Sequence, residues 1–155
     1  MDRELPIVYL ARHGETAWSI TGQHTGLTDL PLTEKGERNA ARLGDRLHGL
    51  SVAKVYTSPL QRARRTCELA GESPLPVGAR ADRVVSRLRA VPGNVLVFSS
   101  GHFLRVLAAR WLGLEASAPG RYFLLTTASL SAVGYEHNVS RPVIRLWNDD
   151  RHVEA

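Results

Sequence analysis

Leu10-Ala11-Arg12-His13-Gly14-Glu15-Thr16-Ala17-Trp18 decides how this chain is read. It grows out of a short apolar run, Leu5 to Ala11, which reads as a buried strand. The run stops at a polar Arg12-His13 pair, and Gly14 turns the chain. In open α/β sheets, ligands bind in the crevice beyond the carboxyl ends of the strands. The pair therefore stands where chemistry is usually done. Arg12 brings a rigid fork of donors suited to phosphate. His13 brings a ring nitrogen able to act as nucleophile or acid–base group near neutral pH. On its own, an Arg-His pair after a strand is more often a surface loop.

The wider sequence removes that ambiguity. Arg-His-Gly-Glu-Thr-x-Trp at residues 12–18 is followed by Gly26-Leu27-Thr28-Asp29-Leu30-Pro31-Leu32-Thr33. Together they resemble the signature of the histidine phosphatase superfamily, the phosphoglycerate mutase-like proteins. The likeness is to the mutase, sugar-phosphatase and acid-phosphatase branch, and it covers nearly the whole chain. It implies a phosphohistidine on His13, with Arg12 gripping the phosphate. It also places Ser19, Thr25 and Gly26 on the wall of the phosphate or substrate site. By composition alone, Ser19 to Leu32 is an ordinary loop whose Gly22 and Gly26 let backbone N–H groups approach an anion.

The 155 residues suit one domain with a hydrophobic core. Apolar content of 43% and charged content of 23% are those of a soluble globular protein. No apolar run is long enough to cross a membrane, and the opening Met1-Asp2-Arg3-Glu4 is no secretory signal. The single cysteine, Cys67, falls in a helical pattern as a small core residue. A cytoplasmic location is the expectation. The net charge of +5 raises nucleic acid as a partner. Only Arg62-Ala63-Arg64-Arg65 is clustered, however, and aromatics are not interleaved with the basic residues. A small anionic substrate and a solvated basic surface explain the charge more simply.

Thr33 caps an expected helix to about Gly49, with Ala40, Ala41, Leu43, Leu47 and Leu50 at helical spacing. Val52 to Thr57 reads as a second strand. Ser58-Pro59-Leu60-Gln61 then predicts a helix start, with Ser58 as cap and Pro59 at the first position. That puts Arg62 in the first turn, facing the same crevice as Arg12. Ser-Pro-Leu-x-Arg-Ala also matches the family motif that carries its second phosphate-binding arginine. Arg64 and Arg65 read as surface charges.

Two features depart from the family pattern. The helix ending near Gly71 passes almost at once to Glu72-Ser73-Pro74 and a further helix, Ala79 to Val91. Relatives carry an extra segment there, including the glutamate that protonates the leaving group. Nothing here resembles it, and Glu72 matches the residue before the helix, so no general acid is identified. The second departure follows the apolar strand Asn94 to Ser99. Where the family reads Ser-His-Gly, this chain has Ser99-Ser100-Gly101-His102 before the helix Phe103 to Leu112. With Gly101 as anchor, the favoured alignment, Ser100 replaces the second catalytic histidine. In the other, His102 swings inward and partly stands in. Ser100 can donate one hydrogen bond to a phosphate oxygen but carries no imidazolium charge.

Two strand-like pieces close the pattern, Ala128 to Tyr135 and Pro142 to Trp147, around a Glu136-His137-Asn138 turn, with a polar tail from Asp149. The expected fold is a three-layer α/β sandwich, its central sheet mostly parallel with an antiparallel edge. Three readings stay open. The first is a phosphomonoesterase acting on small phosphorylated metabolites through His13, with Arg12 and Arg62 as clamp and weakened catalysis. The second is a non-catalytic phosphate-binding relative, natural or made by deletion and substitution. The third is a phosphohistidine-directed protein phosphatase. No cofactor is expected, and the six histidines lack zinc-type spacing. Small phosphorylated substrates or inorganic phosphate are the expected ligands. A cleft opened by the missing segment suggests a homodimer.

Overall fold

The computed structural model describes residues 4–23, 28–76, 80–115 and 122–155. Six strands form one sheet in the order β3-β2-β4-β1-β5-β6. They are β1 (Val8–Arg12), β2 (Lys54–Thr57), β3 (Leu75–Pro76), β4 (Val95–Ser99), β5 (Leu130–Tyr135) and β6 (Pro142–Asp149). β3, β2, β4 and β1 run parallel, and β5 and β6 add an antiparallel edge. The expected α/β sandwich is therefore observed.

β1 and β4 pair from Val8↔Val95 to Arg12↔Ser99 and are apolar nearly throughout. Both faces of these strands are covered, which continuous apolar runs require. Val8, Leu10, Val95 and Val97 pack under α4 (Ala81–Arg89) and α5 (Gly101–Trp111), against Leu88, Leu104 and Trp111. The alternate residues Ala11, Leu96 and Phe98 face the other layer, against Leu43, Leu47 and Cys67. Those three lie on α2 (Glu34–Leu47) and α3 (Gln61–Leu69). Cys67 is buried, as its helical pattern suggested.

Four local expectations are corrected. Residues 17–21 form a short helix, α1 (Ala17–Thr21), that runs into the loop expected from Ser19. Its start is a local hydrogen-bond exchange, Ser19 N to Thr16 Oγ1 (3.1 Å) and Thr16 N to Ser19 Oγ (2.8 Å), which hydrophobic periodicity does not reveal. Next, α3 does not start at Ser58. The Ser58 N–H still bonds the Phe98 carbonyl of the sheet at 2.9 Å, and the helix begins at Gln61. Its cap comes from another part of the chain: the Gln61 N–H donates to Asp29 Oδ1 at 2.7 Å.

The third correction is β3, a two-residue parallel strand beside β2, too short to show a periodicity of its own. The fourth concerns the polar tail. Asp149 is a buried β6 residue paired with Arg46 and Arg151. Beyond it, Glu154 pairs with Arg38 on α2, and its N–H bonds Asn39 Oδ1 at 2.7 Å. The expected helix start at Ala79 lies outside the described residues, and α4 runs from Ala81.

Candidate active site

The site forms where β1 and β4 end. The His13 N–H continues the β1–β4 ladder to the Ser99 carbonyl at 3.0 Å, and the His13 carbonyl accepts from the Ala128 N–H at 3.0 Å. The ring is 4% exposed. Nδ1 lies 2.7 Å from the Gly14 carbonyl, which can only accept. Nδ1 therefore carries the proton, and Nε2 keeps its lone pair. Burial pushes the imidazole down to about 3. The Gly14 carbonyl opposes that shift, and the charges of Arg12 and Arg62 add to it. At neutral pH the ring is uncharged, with the Nε2 lone pair free of a proton.

Packing holds this loop without room to spare. A Cβ on Gly14 would meet the Gly36 carbonyl oxygen at 2.6 Å, so the loop lies directly on the first turn of α2. Thr33 caps that turn and also donates to a Glu15 carboxylate oxygen at 2.8 Å. The Gly14 N–H donates to Thr66 Oγ1 (2.9 Å), whose hydroxyl donates to the Arg62 carbonyl (2.7 Å). One threonine thus ties the histidine loop to the helix that carries Arg62.

Arg12 and Arg62 both reach the crevice beside His13. Arg62 is 1% exposed, and its Nη1 donates to the Thr28 carbonyl at 2.7 Å. Burial lowers its affinity for a proton, and the Asp29 carboxylate raises it. The Arg12 guanidinium donates through Nη1 to the Leu125 carbonyl, and its Nε is buried with no partner among the described residues. Burial, then the charge of Arg105, brings its pKa down to about 10, so it stays cationic at neutral pH. Gly101 makes room for it: a Cβ there would lie 2.9 Å from Arg12 Nε.

Ser100 caps α5 by accepting the Phe103 N–H at 3.2 Å, which leaves its hydroxyl hydrogen free to donate into the crevice. Gly101 follows at the buried first turn, and His102 stands exposed at the rim. On the opposite wall Ser19 lines the crevice, but its hydroxyl donates to the Thr16 carbonyl at 2.9 Å. Thr25 and Gly26 lie outside the described residues. The crevice encloses about 560 Å³, and none of its described lining residues is a carboxylate. Glu72 stands elsewhere, ending α3 through its N–H to the Cys67 carbonyl. A cavity of about 670 Å³ opens at the other end of the sheet around Val52, Pro92 and Asn94, with no histidine or cysteine among its described lining residues.

Sequence reasoning missed two residues. Arg105 lines the crevice one helical turn beyond Gly101. The i,i+4 spacing on α5 was a usable signal for it. Asp29, which caps α3 and steadies the strand-to-helix turn under Arg62, gave no local signal because its partner is 32 residues away.

Comparison with known proteins follows the same outline. The family model described as histidine phosphatase superfamily (branch 1) matches residues 8–73 and 68–150. The two pieces meet where the chain passes from α3 toward β3. An acid phosphatase of Mycobacterium tuberculosis is 32% identical over 177 residues, covering 84% of this chain and 87% of that protein. That alignment exceeds the 155 residues of this chain, so the relative carries residues with no counterpart here. The solved structure of Rv3214 from M. tuberculosis superposes with a TM-score of 0.86 at 28% identity, covering 93% of this chain and 97% of that one. A phosphoserine phosphatase of Entamoeba histolytica, solved with 3-phosphoglyceric acid, shares the fold at a TM-score of 0.81 and 18% identity, covering 96% and 100%. The ranges matched by the family model span His13, Arg12, Arg62 and Arg105, and this chain belongs to the histidine phosphatase superfamily, branch 1.

Proposed function

We propose that this protein hydrolyses small phosphate monoesters through a phosphohistidine on His13 Nε2. The observation that carries the proposal is a buried, neutral His13 whose proton is fixed on Nδ1 between two guanidiniums. The Nε2 lone pair attacks phosphorus and the P–O ester bond breaks, releasing the leaving group with its electron pair. Water then attacks the phosphohistidine, the P–N bond breaks, and inorganic phosphate departs. Arg12 and Arg62 hold the phosphoryl oxygens and spread the charge that develops on them. Ser100 offers one neutral donor. This charge stabilisation comes from arginines, so chelators leave the rate unchanged.

No carboxylate on the described walls of the crevice stands ready to protonate the leaving group. Positioned acid catalysis is worth roughly 10²–10⁴-fold. Esters whose leaving groups depart as stable anions therefore turn over best, and alkyl phosphates slowly. The same observation supports a second reading, a relative that binds phosphate without turning it over. The absence of an acid on the described walls also favours a third reading, a phosphohistidine-directed protein phosphatase, because an imidazole leaving group needs less assistance than an alkoxide. A cytoplasmic protein acting on phosphorylated metabolites is the setting we infer.

The test is hydrolysis of an aryl phosphate with an activated leaving group, beside the His13→Ala variant. We expect turnover that vanishes in the variant, and a phosphoenzyme trapped by acid quench only in the parent. Phosphate binding with no hydrolysis in either protein would leave the second reading standing.

A further inference from the structure

Elsewhere among the described residues, five arginines are paired with carboxylates, Arg151 with Asp149 among them. Arg38 pairs with Glu154, Arg46 with Asp149, Arg65 with Glu37, and Arg110 with Asp82. Arg105 in the crevice is covered without such a partner. Arg105 makes no hydrogen bond or ion pair with any described residue, although it is half-buried and its Nε is fully covered. Arg12 Nε beside it is covered and unpartnered too. Both line the crevice that holds His13.

The placement follows from helix geometry. Gly101 and Arg105 are four residues apart on α5 and share one face. Gly101 touches the Arg12 side chain, so the next residue along that face stands beside the same guanidinium. The Arg105 charge also makes Arg12 easier to deprotonate. Two neighbouring cations without an acid repel each other, and covered N–H donors without acceptors carry a desolvation cost. A single ligand relieves both: an oxyanion placed between them. Arg105 lies on the helix that Ser100 caps, and at Ser100 the chain has a neutral hydroxyl in place of a charge.

We propose that Arg105 is a third guanidinium ligand of the bound phosphoryl group, supplying from α5 the positive charge that Ser100 lacks. The crevice is then a three-arginine anion site, with Arg12 and Arg62 on one side of the phosphorus and Arg105 reaching the oxygens from the α5 side. This rests on the phosphatase reading only for its kinetic consequence, since phosphate binding requires no turnover. If Arg105 merely lays its stem along α5 with its head in solvent, its replacement changes neither binding nor rate.

The experiment is calorimetric titration of the full chain with inorganic phosphate, for the parent, Arg105→Gln, Arg105→Lys and Arg110→Gln. Arg110→Gln removes one charge from the same helix away from the crevice. We expect Arg105→Gln to weaken phosphate binding by about 10–100-fold, the effect of losing a charge-assisted contact. Arg105→Lys should recover part of it, and Arg110→Gln should match the parent. Thermal melting checks that each variant is folded. Affinity within twofold of the parent in Arg105→Gln overturns the proposal, as does an equal loss in Arg110→Gln. A parent that binds no phosphate overturns it as well. Arg105-dependent binding in a protein that leaves the aryl ester intact supports the anion site and removes only the phosphatase reading.

Discussion

At the scale of single residues, the site depends as much on a missing side chain as on those present. Gly101 leaves the space in which the Arg12 guanidinium lies. An alanine there keeps a helical backbone and gains helix propensity, worth up to about 1 kcal/mol. Its methyl, however, must displace Arg12, and an error of about 1 Å in a catalytic group costs on the order of 10²-fold. Gly101→Ala is therefore expected to melt no lower than the parent while losing about 10–100-fold in kcat/KM on an aryl phosphate. Melting curves and initial rates on one preparation separate the two effects. A parallel fall in both would mean that the glycine serves the fold alone.

At the scale of elements, what was legible depended on whether the partner of a residue was local. β1 and β4 could be read because doubly covered parallel strands are continuous apolar runs. α2 could be read because Thr33 caps it and its apolar residues recur at helical spacing. The start of α3 could not. Ser58-Pro59 looks like a cap, yet Asp29 does the capping across the fold. The crevice arginines split the same way: Arg12 and Arg62 sit in recognisable motifs, whereas Arg105 matters only once α5 lies against Arg12. Asp29 gives a test of its long-range role. Asp29→Ala removes an N-terminal cap, which costs about 1 kcal/mol. It also frees the turn under Arg62, so KM for a phosphate ester should rise more than kcat falls. Asp29→Asn keeps an acceptor and should fall between. Equal kinetics in all three proteins would separate the cap from the site.

At the scale of the whole molecule, two buried groups set how the fold answers acid. The His13 imidazole has a pKa of about 3 when folded against 6.5 when free. Between those values the unfolded chain holds a proton that the folded chain refuses, so stability falls as pH drops from 6.5 toward 3. One such proton contributes a slope of at most about 1.4 kcal/mol per pH unit. Asp149 works in the opposite chemical sense. Its carboxyl is held well below 3.8, first by hydrogen bonds from Arg151 and then by Arg46. Its contribution is complete above 3.8 and disappears as pH falls further. Urea midpoints measured from pH 7 to 3 should decline in two stages. His13→Asn should flatten the stage above pH 4. Asp149→Asn should lower the midpoint at pH 7 and flatten the stage below 4. An unchanged upper stage in His13→Asn would assign that acid sensitivity to other groups.

The position of β1 has a consequence for how the chain is made. It precedes the other described strands in sequence, yet it lies near the middle of the sheet, between β4 and β5. Synthesis therefore makes the strand that leads into His13 before its partners and leaves both its hydrogen-bonding edges open until residues 95–99 and 130–135 follow. An apolar strand waiting that long is exposed to wrong partners, and pairings so far apart in sequence form slowly. The histidine loop, which hangs from β1, β4 and the residues just before β5, takes its final shape only once residues 128–135 have been made. Chaperone demand in the cell, rather than the stability of the finished protein, is where that ordering will be felt.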